Sequence, residues 1–375
     1  KLTEFGEVDT VLTGDERTTT TTFNYNTTNY LVSFPSVTTV TQGTTGTGTQ
    51  LKQNRKYYDN GLLTVAPTKG DVTRTEDWLN TNSSYVASTA TYDSFGNVLT
   101  STDPVNNTTT TTWDAAGLFP LTVKNALNQT QSTTWNPACG VQLTATDLNS
   151  SVTSWTYDAL CRRTKESRPD GGWTDFAYVG YGSPSAQYNK TTINNGVASS
   201  RWTSSYFDGL FREWQSVNNV SETSETTYDA RGLIGTVSAP YKPAETKKFT
   251  TFAYDAIRRP VLITNPDNST RQTLFGDWSE TSCDELGKPR SRTRDAYGQV
   301  RKVREYIGPA CAVAPVCTVG SNCFDTVINY DLLGQQTGFP DALNNVSSST
   351  FDSLGRRTAM TDPDKGARGI TAFMI

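Results

Sequence analysis

The chain reads as short runs of Thr, Val and aromatic residues, broken at regular intervals by turn signals. A typical run is Asn97-Val98-Leu99-Thr100-Ser101-Thr102. Runs of about seven residues, rich in β-branched and aromatic side chains, are strand signals. The segments between them are turn formers: Asp103-Pro104-Val105-Asn106-Asn107, Asn125-Ala126-Leu127-Asn128, Arg168-Pro169-Asp170-Gly171-Gly172, Asn265-Pro266-Asp267-Asn268 and Asp362-Pro363-Asp364-Lys365-Gly366. Proline presets φ there, and Asn and Gly accept positive φ. Helical periodicity is absent. Some runs are polar on both faces, as in Arg162-Arg163-Thr164-Lys165-Glu166-Ser167. Such a strand fits a wall with solvent on both sides. The pattern predicts an all-β chain of antiparallel hairpins.

The hairpins repeat. Tyr92-Asp93-Ser94-Phe95-Gly96 returns 21 residues later as Trp113-Asp114-Ala115-Ala116-Gly117, and again as Trp135-Asn136-Pro137-Ala138-Cys139 and Tyr157-Asp158-Ala159-Leu160-Cys161. Further copies are Phe207-Asp208, Tyr228-Asp229 with Gly232, Tyr254-Asp255, Tyr330-Asp331 with Gly334, and Phe351-Asp352 with Gly355. Tyr58-Asp59 is an early outlier. Cys283-Asp284 with Gly287 and Arg294-Asp295 with Gly298 read as degenerate copies. Longer gaps imply insertions or decayed repeats. A fixed period of this length marks a repeat architecture, in which stacked units bring equivalent positions into ladders. The aromatic ahead of each Asp is expected to form one such ladder, burying about 150–250 Å² per ring. Like charges in register repel. Each Asp is therefore expected to accept N–H bonds from its own turn. The basic or amide residue that often follows the Gly position (Arg162, Arg212, Arg259, Lys288, Gln335, Arg356) is expected to offset its charge.

Composition narrows the function. Apolar residues make up 35% of the 375, and Thr, Ser and Asn replace them rather than charge. Net charge is −4, without the basic excess of a nucleic-acid binder. No apolar run is long enough for a transmembrane helix. The chain contains no histidine, which removes Ser-His-Asp and Cys-His catalysis and His-ligated zinc. No catalytic, cofactor-binding or metal-binding residue is assigned, and no cofactor is expected. Exposed tryptophans such as Trp155, Trp173, Trp202, Trp214 and Trp278 could stack on sugars, which keeps glycans among the partners considered.

Six cysteines are present, none in a CxxC pair, and an even count in such a chain points to disulfides and an oxidising compartment. Cys139 and Cys161 each sit three residues after the Asp-equivalent position and are one repeat apart. In-register stacking would bring their Cα atoms within about 4.4–6.8 Å. A Cys139–Cys161 bridge is expected. Cys311, Cys317 and Cys323 lie in an insertion at about 305–325; two pairing together and the third with Cys283 is one arrangement, and spacing alone does not choose.

The Tyr-Asp-x-x-Gly figure, its 21–22 spacing and the intervening turns resemble the YD repeats of the rearrangement-hotspot (RHS) family, which includes the B and C components of insecticidal toxin complexes and the teneurins. Phe23-Asn24-Tyr25-Asn26-Thr27-Thr28-Asn29-Tyr30-Leu31-Val32 resembles the segment preceding the repeats in bacterial members. The resemblance covers roughly residues 20–370. It implies strips of antiparallel sheet that spiral into a shell wall. It divides the chain into a strand-rich lead-in over 1–50 and a YD-repeat array over 51–375. It also implies a secreted or cell-surface, non-enzymatic scaffold of bacterial source. Its partners would be further repeats, or an effector domain of the same polypeptide or of a partner subunit. The family's C-terminal core motif is not visible. A filament-forming or surface adhesin, assembling through sheet edges, and a glycan-binding module are the alternatives.

Overall fold

The computed structural model describes residues 2–4, 16–184, 186–196, 199–308, 311, 317–340 and 345–369. Among them are thirty-one β-strands, β1–β31 in chain order, and no helix. The chain divides into two compact units. The first comprises Lys1–Thr111, Leu274–Cys283 and Lys288–Ile375; the second comprises Thr112–Thr273 and Asp284–Gly287.

The second unit is a meander. From β9 (Pro120–Lys124) to β22 (Thr270–Phe275) each strand pairs antiparallel with the next. In the first unit the N-terminal strands do the same. There β2 (Arg17–Asn26), β3 (Leu31–Gln42), β4 (Gln50–Tyr58), β5 (Val72–Leu79) and β6 (Ser84–Tyr92) pair in succession. The sheet therefore continues across residue 50, between the expected lead-in and the array. The C-terminal part holds β24 (Pro289–Arg294), β25 (Val300–Tyr306) and β26 (Cys323–Val327), then a five-stranded sheet from β27 (Asn329–Tyr330) to β31 (Gly366–Gly369).

The sheet has almost no apolar core. Among the described residues only Tyr58, Leu79, Cys283 and Cys323 are buried hydrophobics. The chain exposes 22542 Å². A compact protein of 41.1 kDa would expose about 15,000 Å². Both faces of most strands carry Thr or Ser, and hydroxyl pairs replace part of the missing apolar packing. The residue before the YD aromatic is Thr in six copies, and each bonds a Thr on the adjacent strand: Thr91–Thr100, Thr112–Thr122, Thr134–Thr144, Thr156–Thr164, Thr227–Thr236 and Thr350–Thr358, at 2.6–2.8 Å. Cross-strand pairs of this kind contribute roughly 0.2–1 kcal/mol each.

Candidate functional site

The YD turn is built around its carboxylate. Asp158 Oδ1 accepts the backbone N–H groups of Leu160 and Arg162, and Asp158 Oδ2 accepts Arg162 Nε–H at 2.8 Å. Asp208 with Arg212, Asp255 with Arg259, and Asp352 with Arg356 repeat this arrangement. In the first copy Asn97 replaces the arginine on Asp93, and on Asp229 the arginine is Arg231. Asp114 caps Leu118 and Phe119, and Asp331 caps Leu333 and Gln335. The backbone N–H of Arg162, then its guanidinium, holds the Asp158 carboxyl below the ordinary carboxylate range. Asp208 is lowered in the same way by Arg212. The fourth residue of the turn is left-handed. Gly96, Gly117, Gly232, Gly334 and Gly355 have φ between +68° and +88° there.

Nine aromatics of the ladder, Tyr58, Tyr92, Trp135, Tyr157, Phe207, Tyr228, Tyr254, Tyr330 and Phe351, sit at β-bulges where the register slips by one residue. The bulge aims the side chain back along the sheet. Tyr92 OH donates to Val72 O, Tyr157 to Gln142 O, Tyr228 to Glu213 O, Tyr254 to Ile234 O and Tyr330 to Val300 O, at 2.7–3.2 Å. One rule covers all five. The acceptor is the residue paired with the preceding rung: Val72 faces Tyr58, Gln142 faces Trp135, Glu213 faces Phe207, Ile234 faces Tyr228 and Val300 faces Arg294. Tyr58, the early outlier, follows it too, donating to Pro35 O opposite Phe23. The rule also reveals a rung that the sequence hides. Tyr178 has no Asp after it, yet its hydroxyl donates to Arg163 O, opposite Tyr157. It lies 21 residues beyond Tyr157, within the long gap before Phe207. Asp284, by contrast, is no YD position. Its carboxylate also accepts an N–H, from Leu286, but it lies at the opposite end of β24 from Asp295, on the side of the intervening turns.

The structure joins Cys139 to Cys161, with Cα atoms 5.6 Å apart. It also joins Cys283 to Cys311 and Cys317 to Cys323. The two turns of the first bridge differ. Gly140 is the left-handed residue in one, at φ +66°, whereas Cys161 itself is left-handed in the other, at φ +61°.

Within the first unit, the C-terminal YD turns meet the N-terminal strands. Arg17 donates to Leu332 O at 3.0 Å and lies 4.6 Å from the Tyr297 ring centre. Ser353 Oγ–H donates to Trp78 O, Ser353 N–H donates to Asn80 Oδ1, and Asn80 N–H donates to Ser353 Oγ. Beside these contacts opens a cleft of about 730 Å³. Its walls include Trp78, Tyr297, Tyr330 and Phe351, with Asn80, Gln299, Arg301, Asp295, Asp331 and Asp352 among the polar groups. The third residue of the YD turn is apolar in several copies. Leu160, Leu210 and Ile257 are 69–74% exposed, whereas the equivalent Leu333 lines this cleft.

No protein-family model and no curated protein matches the sequence. Solved structures do. The chain is similar to TcdB2-TccC3 at 14% identity and a TM-score of 0.71, over 94% of this chain and 25% of that one. TcdB2-TccC3 without its hypervariable C-terminal region gives 12% identity and a TM-score of 0.74, over 96% and 27%. A mutant Tc holotoxin pore of Photorhabdus luminescens gives 12% and 0.70, over 94% and 27%. The chain thus spans about a quarter of the length of these proteins. At such identities the likeness is one of fold, and the fold this chain shares with the toxin-complex proteins is the YD-repeat sheet implied by its RHS resemblance.

Proposed function

We propose that this chain is a stretch of non-catalytic wall from a secreted YD-repeat shell, which encloses or presents an effector of the same polypeptide or of a partner subunit. The observation that carries the reading is antiparallel sheet with almost no buried apolar side chains, whose regularity lies in turn-to-turn ladders rather than in a core. A sheet of that kind is suited to separate two aqueous spaces. The fold shared with TcdB2-TccC3 supports the reading, since that protein is a toxin-complex component and this chain matches about a quarter of it. The test is electron microscopy of the product of the complete gene. A hollow particle, bounded by a wall one sheet thick and holding density inside, is expected. A solid sandwich with its inner faces packed together would overturn the reading.

A further inference from the structure

We infer that the cleft of the first unit is a binding site for an uncharged pyranose sugar, a role beyond that of a wall. The cleft has the size and mixed lining of a small-molecule site, which typically encloses about 300–1,000 Å³ behind aromatic walls with a few polar groups. Trp78, Tyr297, Tyr330 and Phe351 supply the rings. The electron-rich faces of such rings attract the weakly positive C–H groups on the flat side of a pyranose.

Several polar groups of the lining lack a protein partner among the described residues, the Gln299 side-chain amide among them. Asp331 Oδ1 accepts the N–H groups of Leu333 and Gln335, and nothing donates to its second oxygen. The reason is in the sequence: position 335 is Gln, where Asp158, Asp208, Asp255 and Asp352 have an arginine. Asn80 uses its Oδ1 on Ser353 and leaves its amide N–H₂ over, and the Trp78 indole N–H is unpaired. The cleft thus presents both donors and acceptors beside aromatic faces. A hydroxyl both donates and accepts, so a ring of adjacent hydroxyls meets both kinds. A hydrocarbon would leave them desolvated, at about 1–3 kcal/mol each. An anion would meet three carboxylates and the single guanidinium of Arg301.

The test is a titration of the intact chain with glucose, galactose, N-acetylglucosamine and cellobiose, with glucuronate as the charged comparison. Binding is read by calorimetry and on the tryptophan indole N–H resonances, with Trp78 assigned from its absence in Trp78→Phe. At least one neutral sugar is expected to bind and to move the Trp78 resonance. Affinity should fall about tenfold or more in Trp78→Ala, and by less in Trp78→Phe, which keeps a ring but lacks the indole N–H donor. Asn80→Asp, which keeps the oxygen facing Ser353 but removes the amide donor, should also weaken binding. No heat with any neutral sugar would overturn the inference. So would binding that leaves the Trp78 resonance unmoved, or glucuronate binding as tightly as glucose.

Discussion

Asn80 and Ser353, 273 residues apart, each donate a backbone N–H to the other's side-chain oxygen, at 3.0 and 2.9 Å. Ser353 is 3% exposed, and its hydroxyl proton goes to Trp78 O. One small side chain therefore satisfies two backbone groups, Trp78 O and Asn80 N–H, where the two ends of the first unit meet. Ser353→Ala should destabilise that unit by about 1–3 kcal/mol, because one donor and one acceptor are left unpaired at a buried position. Urea unfolding with hydrogen exchange would show it, with protection lost first around 78–80 and 352–354. An unchanged midpoint would mean that the contact is incidental.

The tyrosine ladder predicts a graded series. Tyr157→Phe and Tyr178→Phe each delete one hydroxyl bond to the previous rung, and each should cost about 0.5–1.5 kcal/mol. Tyr206→Phe should cost almost nothing, since the Tyr206 hydroxyl has no protein partner among the described residues. Chemical denaturation of the three variants decides the matter. If Tyr178→Phe behaves like Tyr206→Phe, then Tyr178 is not a rung.

The Cys139–Cys161 bridge closes one repeat. Replacing both cysteines by serine should lower the stability of the second unit by about 2–4 kcal/mol. Glycine at 161 in place of serine should return about 1 kcal/mol. That position is left-handed, and the left-handed region costs an L-residue about 1–2 kcal/mol. Thermal melts of the two double variants, measured beside the oxidised parent, separate the bridge from the backbone term.

Acid should unlock the turns. Hydrogen bonds from Arg162, Arg212 and Leu233 hold Asp158, Asp208 and Asp229 below the ordinary carboxylate range. A lowered folded pKa adds stability that is fully present above the unfolded value of about 4 and is lost as pH falls through the folded values. Circular dichroism should show a plateau from neutral pH to about 4 and a cooperative loss of strand signal below it. A transition centred above pH 5 would point to other groups.

Much of this was legible in the sequence because a ladder writes the same letters at the same interval. Tyr157, Asp158 and Arg162 announced an aromatic rung, a capped turn and a counter-charge; the capped turn and the counter-charge are there, while the rung is joined to the one before by a hydroxyl bond rather than by the expected burial of rings in a core. Tyr178 was hidden because the Asp, not the aromatic, makes the motif recognisable, and here the chain turns without it. Cys283-Asp284 misled for the converse reason. The same Asp-turn chemistry serves turns at both ends of a strand, as Asp93 and Asp103 do for β7, so the letters alone do not say which end. The threonine ahead of six of the aromatics was visible in triplets such as Thr-Tyr-Asp or Thr-Trp-Asp, but its role depends on a cross-strand partner that only the register supplies. The cleft was illegible altogether, since its walls come from residues nearly 300 positions apart.

The one-neighbour connectivity of the second unit has a mechanical side. Every strand there is bonded only to the strands before and after it in the chain, so tension along the backbone would peel hairpins off one at a time rather than shear a block. The Cys139–Cys161 link interrupts that unzipping. It withholds 22 residue steps, about 75 Å of extensible length, from any pull that passes through it. Under load the oxidised chain should reach full extension short by that amount, and a reductant should release it as one discrete step.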